Sequence, residues 1–407
     1  MRKHRRAKKK SNAQKVLMVF IAIFLVILVV LAIVMVRDIF SNTPDDDTDD
    51  DFINQPADPN DPDNPNNPDN PDDPDDPDDL DHSTQPIPSP TPDPDANLDG
   101  TNPLTGVPMD LRFDRNRPIA VVVNNLHEAL PLNGISEADI VYEYPVEGGL
   151  TRMLALYQDV FYVEKIGSIR SARHYTVQLA HAYDAILVAA GRSPQAQAEV
   201  RALGIPFLNE VEGPHREIFF RDRNRVPGRR VENLHSVVTT GARLFHWLPQ
   251  YDFRIEHEAS YEPSLRFVED GTPSGGSTAN EIRMRFSAAK STSFIYNSAE
   301  NVYRVRQNNT NFIDANNNAN AVFTNIVFIK TSVTGLQGDD AGRLEIVTTG
   351  SGTGYFANGG RYIPINWSRA DKSSQFIFTR EDGTRLDFGV GKSYICIIPR
   401  NVDPVFE

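Results

Sequence analysis

The sequence predicts an α/β N-terminal domain and an all-β C-terminal domain, preceded by one transmembrane helix and a disordered linker. Three observations carry this prediction: an uncharged apolar run at 16–36, a Pro/Asp-rich stretch after it, and a change near residue 280 from mixed patterns to short alternating runs. The predicted boundaries are 1–15 for a basic cytoplasmic tail, 16–36 for the helix, 37–101 for the acidic linker, 102–270 for the α/β domain, 271–279 for a flexible junction and 280–407 for the β-rich domain.

The apolar run VLMVFIAIFLVILVVLAIVMV (16–36) predicts a membrane span. At this length a helix crosses a hydrocarbon core of about 30 Å, and the run has none of the polar stripe that a buried core helix shows. The preceding MRKHRRAKKK places the N-terminus in the cytoplasm by the positive-inside rule. A cleaved signal peptide is the alternative, although its apolar region usually has about 7–15 residues. We therefore expect a single-pass protein of the cell membrane, with its C-terminal domains outside the cytoplasm.

The formal net charge of -14 is unevenly distributed. Residues 1–41 carry +8, residues 42–100 carry twenty Asp and no Lys or Arg, and the remainder carries only -2. The folded part therefore has no basic excess, which argues against a nucleic-acid partner. In the linker, prolines recur at every third position from 56 to 77. This is the period of an extended polyproline II helix, and such a spacer would reach on the order of 150 Å or more; a merely disordered, solvated spacer is the alternative.

The first folded region alternates between strand and helix patterns. PIAVVVNN (118–125), ADIVYEY (138–144) and LTRMLALYQ (150–158) predict strands, with Gly148–Gly149 as a tight turn before the last. SARHYTVQLAHAY (171–183) predicts a helix with Ser171 as its N-cap. A strand at 184–191 is followed by a second helix, for which Ser193 is the cap, Pro194 the first residue and Gly204 the end. This order is typical of an α/β domain.

The region after residue 280 reads as an all-β module of about eight short strands. Turn signals such as Gly359–Gly360 and Asp382–Gly383 separate the runs. The glycine-rich GSGTGYFANGG (350–360) is predicted as turns rather than a phosphate cradle. The one cysteine, Cys396, lies in the apolar run YICIIP, so it is expected to be a buried strand residue and no intramolecular disulfide can form.

Several segments resemble one known family in order and spacing. They are NPLTG (102–106), RPIAVVVNN (117–125), ADIVYE (138–143), VEGGLTRMLALYQ (146–158), KIGSIRSARHY (165–175) and, later, GTGYFANGGRYIPINW (352–367) and GKSYICIIP (391–399). This succession resembles the YerB-like cell-envelope proteins of Gram-positive bacteria. The resemblance implies two domains of unknown function and no established activity. Members of that family are typically anchored by a lipid on a cysteine, whereas this sequence has an apolar run and an acidic spacer instead.

Candidate ligand-binding residues gather at the ends of predicted strands in the first domain: Asn125, Arg152, Arg170, Ser171, Arg173, Arg192 and Ser193. The two predicted helix starts in this set present unpaired N–H groups, which favour anions. In a parallel sheet both starts lie at the carboxyl edge of the strands, where ligands bind in open α/β folds. The alternative is that Arg170 and Arg173 pair with Glu143 or Glu147 as internal ties.

Glu143, Glu147 and His235 are the candidate catalytic residues. Paired carboxylates about 5–10 Å apart are what glycoside hydrolysis requires, and His235 would be a general base, for which the sequence identifies no nucleophile. His174 and His181 are about 10 Å apart on the predicted helix, which is too far for both to bind one metal ion. We expect no metal, and we expect no cofactor.

Three classes of function follow from these patterns. The leading hypothesis is a membrane-anchored, extracytoplasmic protein that binds an anionic or glycan component of the cell wall, with a cell-wall polymer or an envelope protein as its partner. The second is a cell-wall hydrolase or transferase that uses Glu143, Glu147 and His235. The third is a structural assembly factor of the envelope.

Overall fold

A mixed β-sheet of eleven strands forms the centre of the region that the structure describes. The computed structural model describes residues 98–407, which are mostly sheet with few helices. The predicted transmembrane helix at 16–36 and almost all of the linker lie outside these residues. Among residues 98–407, no helix has the length and apolar character that a membrane crossing needs.

The strands of the first half are β1 (Gly100–Thr101), β2 (Pro108–Met109), β3 (Ile119–Val123), β4 (Ile140–Pro145), β5 (Thr151–Tyr157), β6 (Ile166–Gly167), β7 (Ile186–Ala189), β8 (Phe207–Asn209), β9 (Phe220–Arg221), β10 (Val237–Thr239) and β11 (Phe267–Val268). The helices are α1 (His174–His181), α2 (Pro194–Leu203) and α3 (Gly241–Trp247). Short 3-10 helices lie at His127–Ala129, Glu147–Gly149, Arg216–Ile218, Asn233–His235 and Leu248–Gln250.

The strands of the second half are β12 (Ser277–Thr278), β13 (Glu281–Arg285), β14 (Ser291–Asn297), β15 (Val302–Gln307), β16 (Thr310–Asn311), β17 (Val322–Phe323), β18 (Asn325–Thr331), β19 (Val333–Gly335), β20 (Leu344–Ile346), β21 (Gly350–Asn358), β22 (Arg361–Arg369), β23 (Ile377–Thr379), β24 (Phe388–Gly389), β25 (Ser393–Pro399) and β26 (Val405–Phe406).

The central sheet contains strands from both halves of the described chain. Its order is β12-β22-β21-β18-β25-β4-β5-β3-β7-β8, with β23 beside β22. Near the C-terminus of the chain, β25 pairs in parallel with β4, from Ser393 opposite Ile140 to Cys396 opposite Glu143. Strands β3, β4 and β7 run in one direction, so their carboxyl ends share one edge of the sheet.

Each face of the central sheet has its own apolar core, because side chains alternate along a strand. Val121 and Val141 point to the core beneath the second sheet, β16-β15-β14-β13-β26 with β17 beside β15. Tyr142 and Leu154 point to the opposite core, which contains Tyr175 of α1 and residues of α2. We call these the second-sheet face and the helix face.

The strands predicted at 118–125, 138–144, 150–158 and 184–191 are confirmed as β3, β4, β5 and β7. The limits of α2 are confirmed as well, because the Ser193 hydroxyl accepts a hydrogen bond from Ala196 N at 3.2 Å and Gly204 ends the helix in the left-handed region at φ 61°. Cys396 is buried in β25, as expected.

Two local predictions are wrong. The first helix begins at His174, three residues later than predicted, and Ser171 is not its cap. The chain before α1 is extended instead, since Arg170 N donates to Val122 O and Ala172 N donates to Gly191 O. The segment 350–358 is a long strand rather than turns, and only its end turns at Gly359–Gly360, where φ is +57° and +71°.

Glycine makes the close packing of that missed strand possible. A Cβ on Gly354 would lie 2.0 Å from Phe328 O of the neighbouring β18, and one on Gly352 would lie 2.7 Å from the Trp367 ring nitrogen. Glycine inside a strand often marks such a close approach.

Candidate functional site

The carboxyl edge of β3, β4 and β7 gathers most of the predicted site residues. An extended segment, 170–173, lies between the ends of β3 and β7: Arg170 N donates to Val122 O at 3.0 Å, and Ala190 N donates to Arg170 O at 3.2 Å. Ser193 N donates to Ala172 O at 3.1 Å, which joins the two predicted helix starts side by side. Both starts therefore lie at the same sheet edge.

Three arginines converge at this edge, on the helix face of the sheet. Arg152, Arg170 and Arg173, here called the arginine cluster, are 8%, 6% and 8% exposed. Arg152 Nη1 donates to Ser171 O at 2.7 Å, and Arg170 Nη1 donates to Leu234 O at 3.1 Å. Backbone carbonyl groups thus fix the direction of two guanidinium groups.

Glu147 lies against the cluster. Its carboxylate is paired with Arg173 Nη2, accepts from Arg173 Nε at 3.5 Å and is 4.0 Å from Arg152 Nη2. The alternative that arginines of this region serve as internal ties is thus confirmed for Arg173 and Glu147. Arg170 donates to the carbonyl group of Leu234, next to His235 in the chain.

The electrostatics of the cluster follow from burial and crowding. Burial alone would raise the pKa of Glu147, but the charges of Arg173 and Arg152 outweigh it and lower this pKa to about 2. Burial lowers the pKa of Arg152 to about 10, and the like charges of Arg173 and Arg170 contribute to the shift. Glu147 and Arg152 are therefore both charged at neutral pH.

Glu143 belongs to a different network. Its side chain is fully buried on the second-sheet face. Oε1 accepts hydrogen bonds from Asn125 Nδ2 at 2.9 Å and Thr151 Oγ1 at 2.7 Å, and Oε2 accepts from Thr292 Oγ1 at 2.8 Å and Tyr394 Oη at 2.6 Å. Four donors saturate this carboxylate, so it ties the two halves of the chain together and is closed to a substrate.

A buried lysine completes this network. Lys290 Nζ donates to Asn125 O at 2.9 Å, and burial lowers the pKa of Lys290 to about 8 although Glu143 acts in the opposite direction. Asn125, predicted to bind a ligand, is thus held by Glu143, Thr151 and Lys290. Its Oδ1 is buried and has no hydrogen-bond partner among the residues that the structure describes.

The three predicted catalytic residues do not form one catalytic group. Glu143 lies on the second-sheet face of the sheet, whereas Glu147 follows the end of β4 and binds arginines on the helix face. Neither carboxylate is hydrogen-bonded to His235, whose Nδ1 is 3.1 Å from Asn124 Nδ2. His235 is 3% exposed, and its carbonyl oxygen accepts from Arg225 Nε at 2.7 Å.

The remaining predicted residues have local roles. The Ser171 carbonyl positions Arg152, and the Ser193 hydroxyl caps α2. Arg192 lies apart from the cluster: its Nη2 is 2.5 Å from Glu212 Oε2, and its guanidinium lies 6.0 Å from the centre of the Phe207 ring. No group of His, Cys, Asp or Glu within residues 98–407 could hold a metal ion.

Sequence reasoning missed the partners of Glu143 and one neighbour of the cluster. Lys290, Thr292 and Tyr394 come from strands and turns far along the chain, and no local pattern marks them. Glu345 of β20 lies 3.1 Å from His174 Nε2 at the start of α1, so the β19–β20 hairpin reaches the residue next to Arg173.

Comparisons with known proteins agree with the resemblance read from the sequence. Residues 104–246 match the family "Protein of unknown function (DUF3048) N-terminal domain", and residues 282–395 match "Protein of unknown function (DUF3048) C-terminal domain". The chain is 28% identical over 300 residues to "Putative lipoprotein YerB" of Bacillus subtilis (strain 168), across 73% of this chain and 86% of that relative.

A solved structure supports the same assignment. The crystal structure of the YerB protein from Bacillus subtilis matches with a TM-score of 0.63 at 27% identity, and the match covers 74% of this chain and 96% of that one. The chain therefore belongs to the YerB-like family and carries both of its domains of unknown function.

Proposed function

We propose that this protein is held at the cell membrane by its N-terminal segment and binds an anionic component of the cell envelope through the arginine cluster. The apolar run at 16–36 and the basic residues before it support a single-pass topology with a cytoplasmic N-terminus. The name of the relative, a lipoprotein, fits a protein attached to a membrane. The acidic linker would carry the folded region away from the membrane surface, toward a cell-wall polymer or an envelope protein.

One observation carries the proposal: the cluster already holds a carboxylate. Glu147 is stabilised as an anion so strongly by Arg173 and Arg152 that its pKa falls to about 2 despite burial. A carboxylate of a ligand has the same charge and acceptor geometry, and a phosphodiester also presents two acceptor oxygens that share one negative charge. Guanidinium groups bind both through paired hydrogen bonds.

Movement of the turn that carries Glu147 would let a ligand reach the arginine cluster. Glu147 is followed by Gly148 and Gly149, which are exposed and have positive φ of 67° and 72°. Around Gly148, an added Cβ would have only Leu150 within 4 Å, at 3.9 Å. The ligand anion would displace the Glu147 carboxylate from Arg173, and the glycine turn would move outward with it.

Binding to defined polyanions tests the proposal. The full-length chain in detergent is titrated at low and high salt with poly(glycerol phosphate), with poly-γ-glutamate and with a neutral glucan. We expect salt-dependent binding to one or both polyanions and none to the glucan; the two polyanions separate a phosphate ligand from a carboxylate ligand. Arg170→Gln and Arg173→Gln should weaken binding at least tenfold, which is about 1.4 kcal/mol. The matched control is Arg304→Gln, because Arg304 is an exposed arginine on the second sheet.

Glu147→Gln provides the opposite test, since it removes the competing anion and should strengthen binding. Unchanged binding in Arg170→Gln, Arg173→Gln and Glu147→Gln would refute the anion site. No binding to any polymer would favour the structural assembly factor. Release of soluble product from purified cell-wall fractions, abolished by Glu147→Gln, would favour a hydrolase or transferase.

A further inference from the structure

An open cleft lies beside Arg192, at the carboxyl ends of β7 and β8. Its volume is about 560 Å³, and its walls come from α2, from the loop after β8 and from residues 252–254. Small-molecule sites typically have about 300–1,000 Å³. Its lining includes Arg192, Phe207, Asn209, Glu212, His215 and Phe253.

Asn209, which lines the cleft, has a buried donor with no partner in the described part of the chain. Asn209 is 3% exposed, and its Oδ1 accepts hydrogen bonds from Gly191 N at 2.8 Å and Val211 N at 3.3 Å. These two bonds fix the orientation of the amide, and Nδ2 has no hydrogen-bond partner among residues 98–407. An unsatisfied buried donor destabilises the folded state, and an acceptor on a ligand would remove this cost.

Arg192, which also lines the cleft, has a second such donor. Its Nη2 binds Glu212, but its Nε is buried without a hydrogen-bond partner in the described part of the chain. Two residues that line the cleft thus each have a donor without an acceptor among the described residues. They call for a ligand with a carbonyl or hydroxyl oxygen.

The other walls are aromatic and acidic. Phe207, His215 and Phe253 are half-buried, and the ring centres of the last two are 5.6 Å apart. The side chain of Glu212 is 47% exposed and Asp252 is exposed, so the cleft also offers acceptors. Aromatic rings suit the C–H faces of a sugar, and carboxylates accept from its hydroxyl and amide N–H groups.

We propose that this cleft binds a saccharide that carries acetamido groups. The acetamido carbonyl would accept from Asn209 Nδ2 and Arg192 Nε, its N–H would donate to Glu212, and the sugar ring would stack on Phe253. None of these residues belongs to the arginine cluster. The cleft is therefore a second site, whose existence does not depend on the anion site.

The test is calorimetric titration of the full-length chain in detergent with tetra-N-acetylchitotetraose. Asn209→Asp is the sharpest variant, because its carboxylate can still accept from Gly191 N and Val211 N while the unpaired donor is lost. We expect at least tenfold weaker binding for Asn209→Asp and for Phe253→Ala. Phe245→Ala should bind like the wild type, since Phe245 is an exposed aromatic residue of α3 outside the cleft.

Two results would overturn the inference: no binding of the tetrasaccharide to the folded wild type, or equal binding to wild type and Asn209→Asp. Equal affinity for maltotetraose, which has hydroxyl groups but no acetamido groups, would overturn the acetamido assignment. The polyanion titrations of the arginine variants report separately, so failure of one site leaves the other measurable.

Discussion

Replacing Glu147 with glutamine should remove a charge that the fold stabilises strongly while keeping the size of the side chain. The pKa of Glu147 falls from 4.5 to about 2, because Arg173 and Arg152 outweigh the effect of burial. At neutral pH this shift corresponds to about 3 kcal/mol of folding stability. Loss of one partner from a buried ion pair typically costs about 3–5 kcal/mol. This range agrees with the value obtained from the pKa of Glu147.

The pH dependence has a definite sign. A carboxylate whose folded pKa is lowered stabilises the protein above the pKa of the unfolded chain, near 4.5, and the contribution is lost as pH falls toward about 2. The difference in stability between wild type and Glu147→Gln should therefore be constant above about pH 5 and shrink below it. Inorganic phosphate should stabilise the variant more than the wild type, because the cluster has lost its internal anion.

Urea unfolding followed by tryptophan fluorescence measures this difference, and Trp367 is a suitable probe because it is 2% exposed. The control is Glu300→Gln, which removes an exposed partner of Arg304 and should cost about 0.2–1 kcal/mol. A difference below about 1 kcal/mol for Glu147→Gln at pH 7, or one that persists unchanged at pH 3, would refute the reasoning.

Three further predictions concern the rest of the fold. The pKa of Lys290 is 10.5 in the unfolded chain but about 8 in the folded protein, so the stability of the wild type should rise by about 2 kcal/mol between pH 8 and 10. Lys290→Met should abolish this rise in urea unfolding. Parallel pH profiles of the two proteins would contradict the prediction. Ser193→Ala should lower the free energy of unfolding by about 1 kcal/mol, whereas Ser193→Asp should retain the cap of α2; equal losses in both would argue against capping. A fragment of residues 98–270 should not form a folded monomer, because β4 loses its partner β25 and Glu143 loses two of its four hydrogen-bond donors. Circular dichroism and size-exclusion chromatography measure this. A monodisperse, folded fragment would disprove that the first half of the described chain needs the second half to fold.

Local patterns were sufficient where a segment's neighbours in sequence decide its conformation. The apolar runs of β3 and β5 and the Ser193, Pro194 and Gly204 signals of α2 all correspond to what is observed. Such signals failed where the tertiary environment overrides them. Ser171 has the residue type of a helix cap, but the chain there pairs with residues of two other segments, and α1 begins only after those bonds end.

In the candidate site, the types of residue could be predicted from the sequence, but their contacts with distant parts of the chain could not. That acids and arginines lie near the ends of strands follows from the sequence, as does the charge separation between tail, linker and folded region. Which of these residues contact each other does not follow from the sequence. The parallel pairing of β25 with β4 joins residues about 250 positions apart and brings Tyr394 to Glu143.

The sequence by itself therefore determined the family, the local elements and the residue types at the carboxyl edge. Only the tertiary structure decided that Glu143 is a saturated tie on one face of the central sheet while Glu147 pairs with Arg173 and lies near Arg152 on the other. The physical reason is that a strand sends successive side chains to opposite faces, and what covers each face depends on strands and helices from distant parts of the chain. A spacing of four residues cannot carry that information.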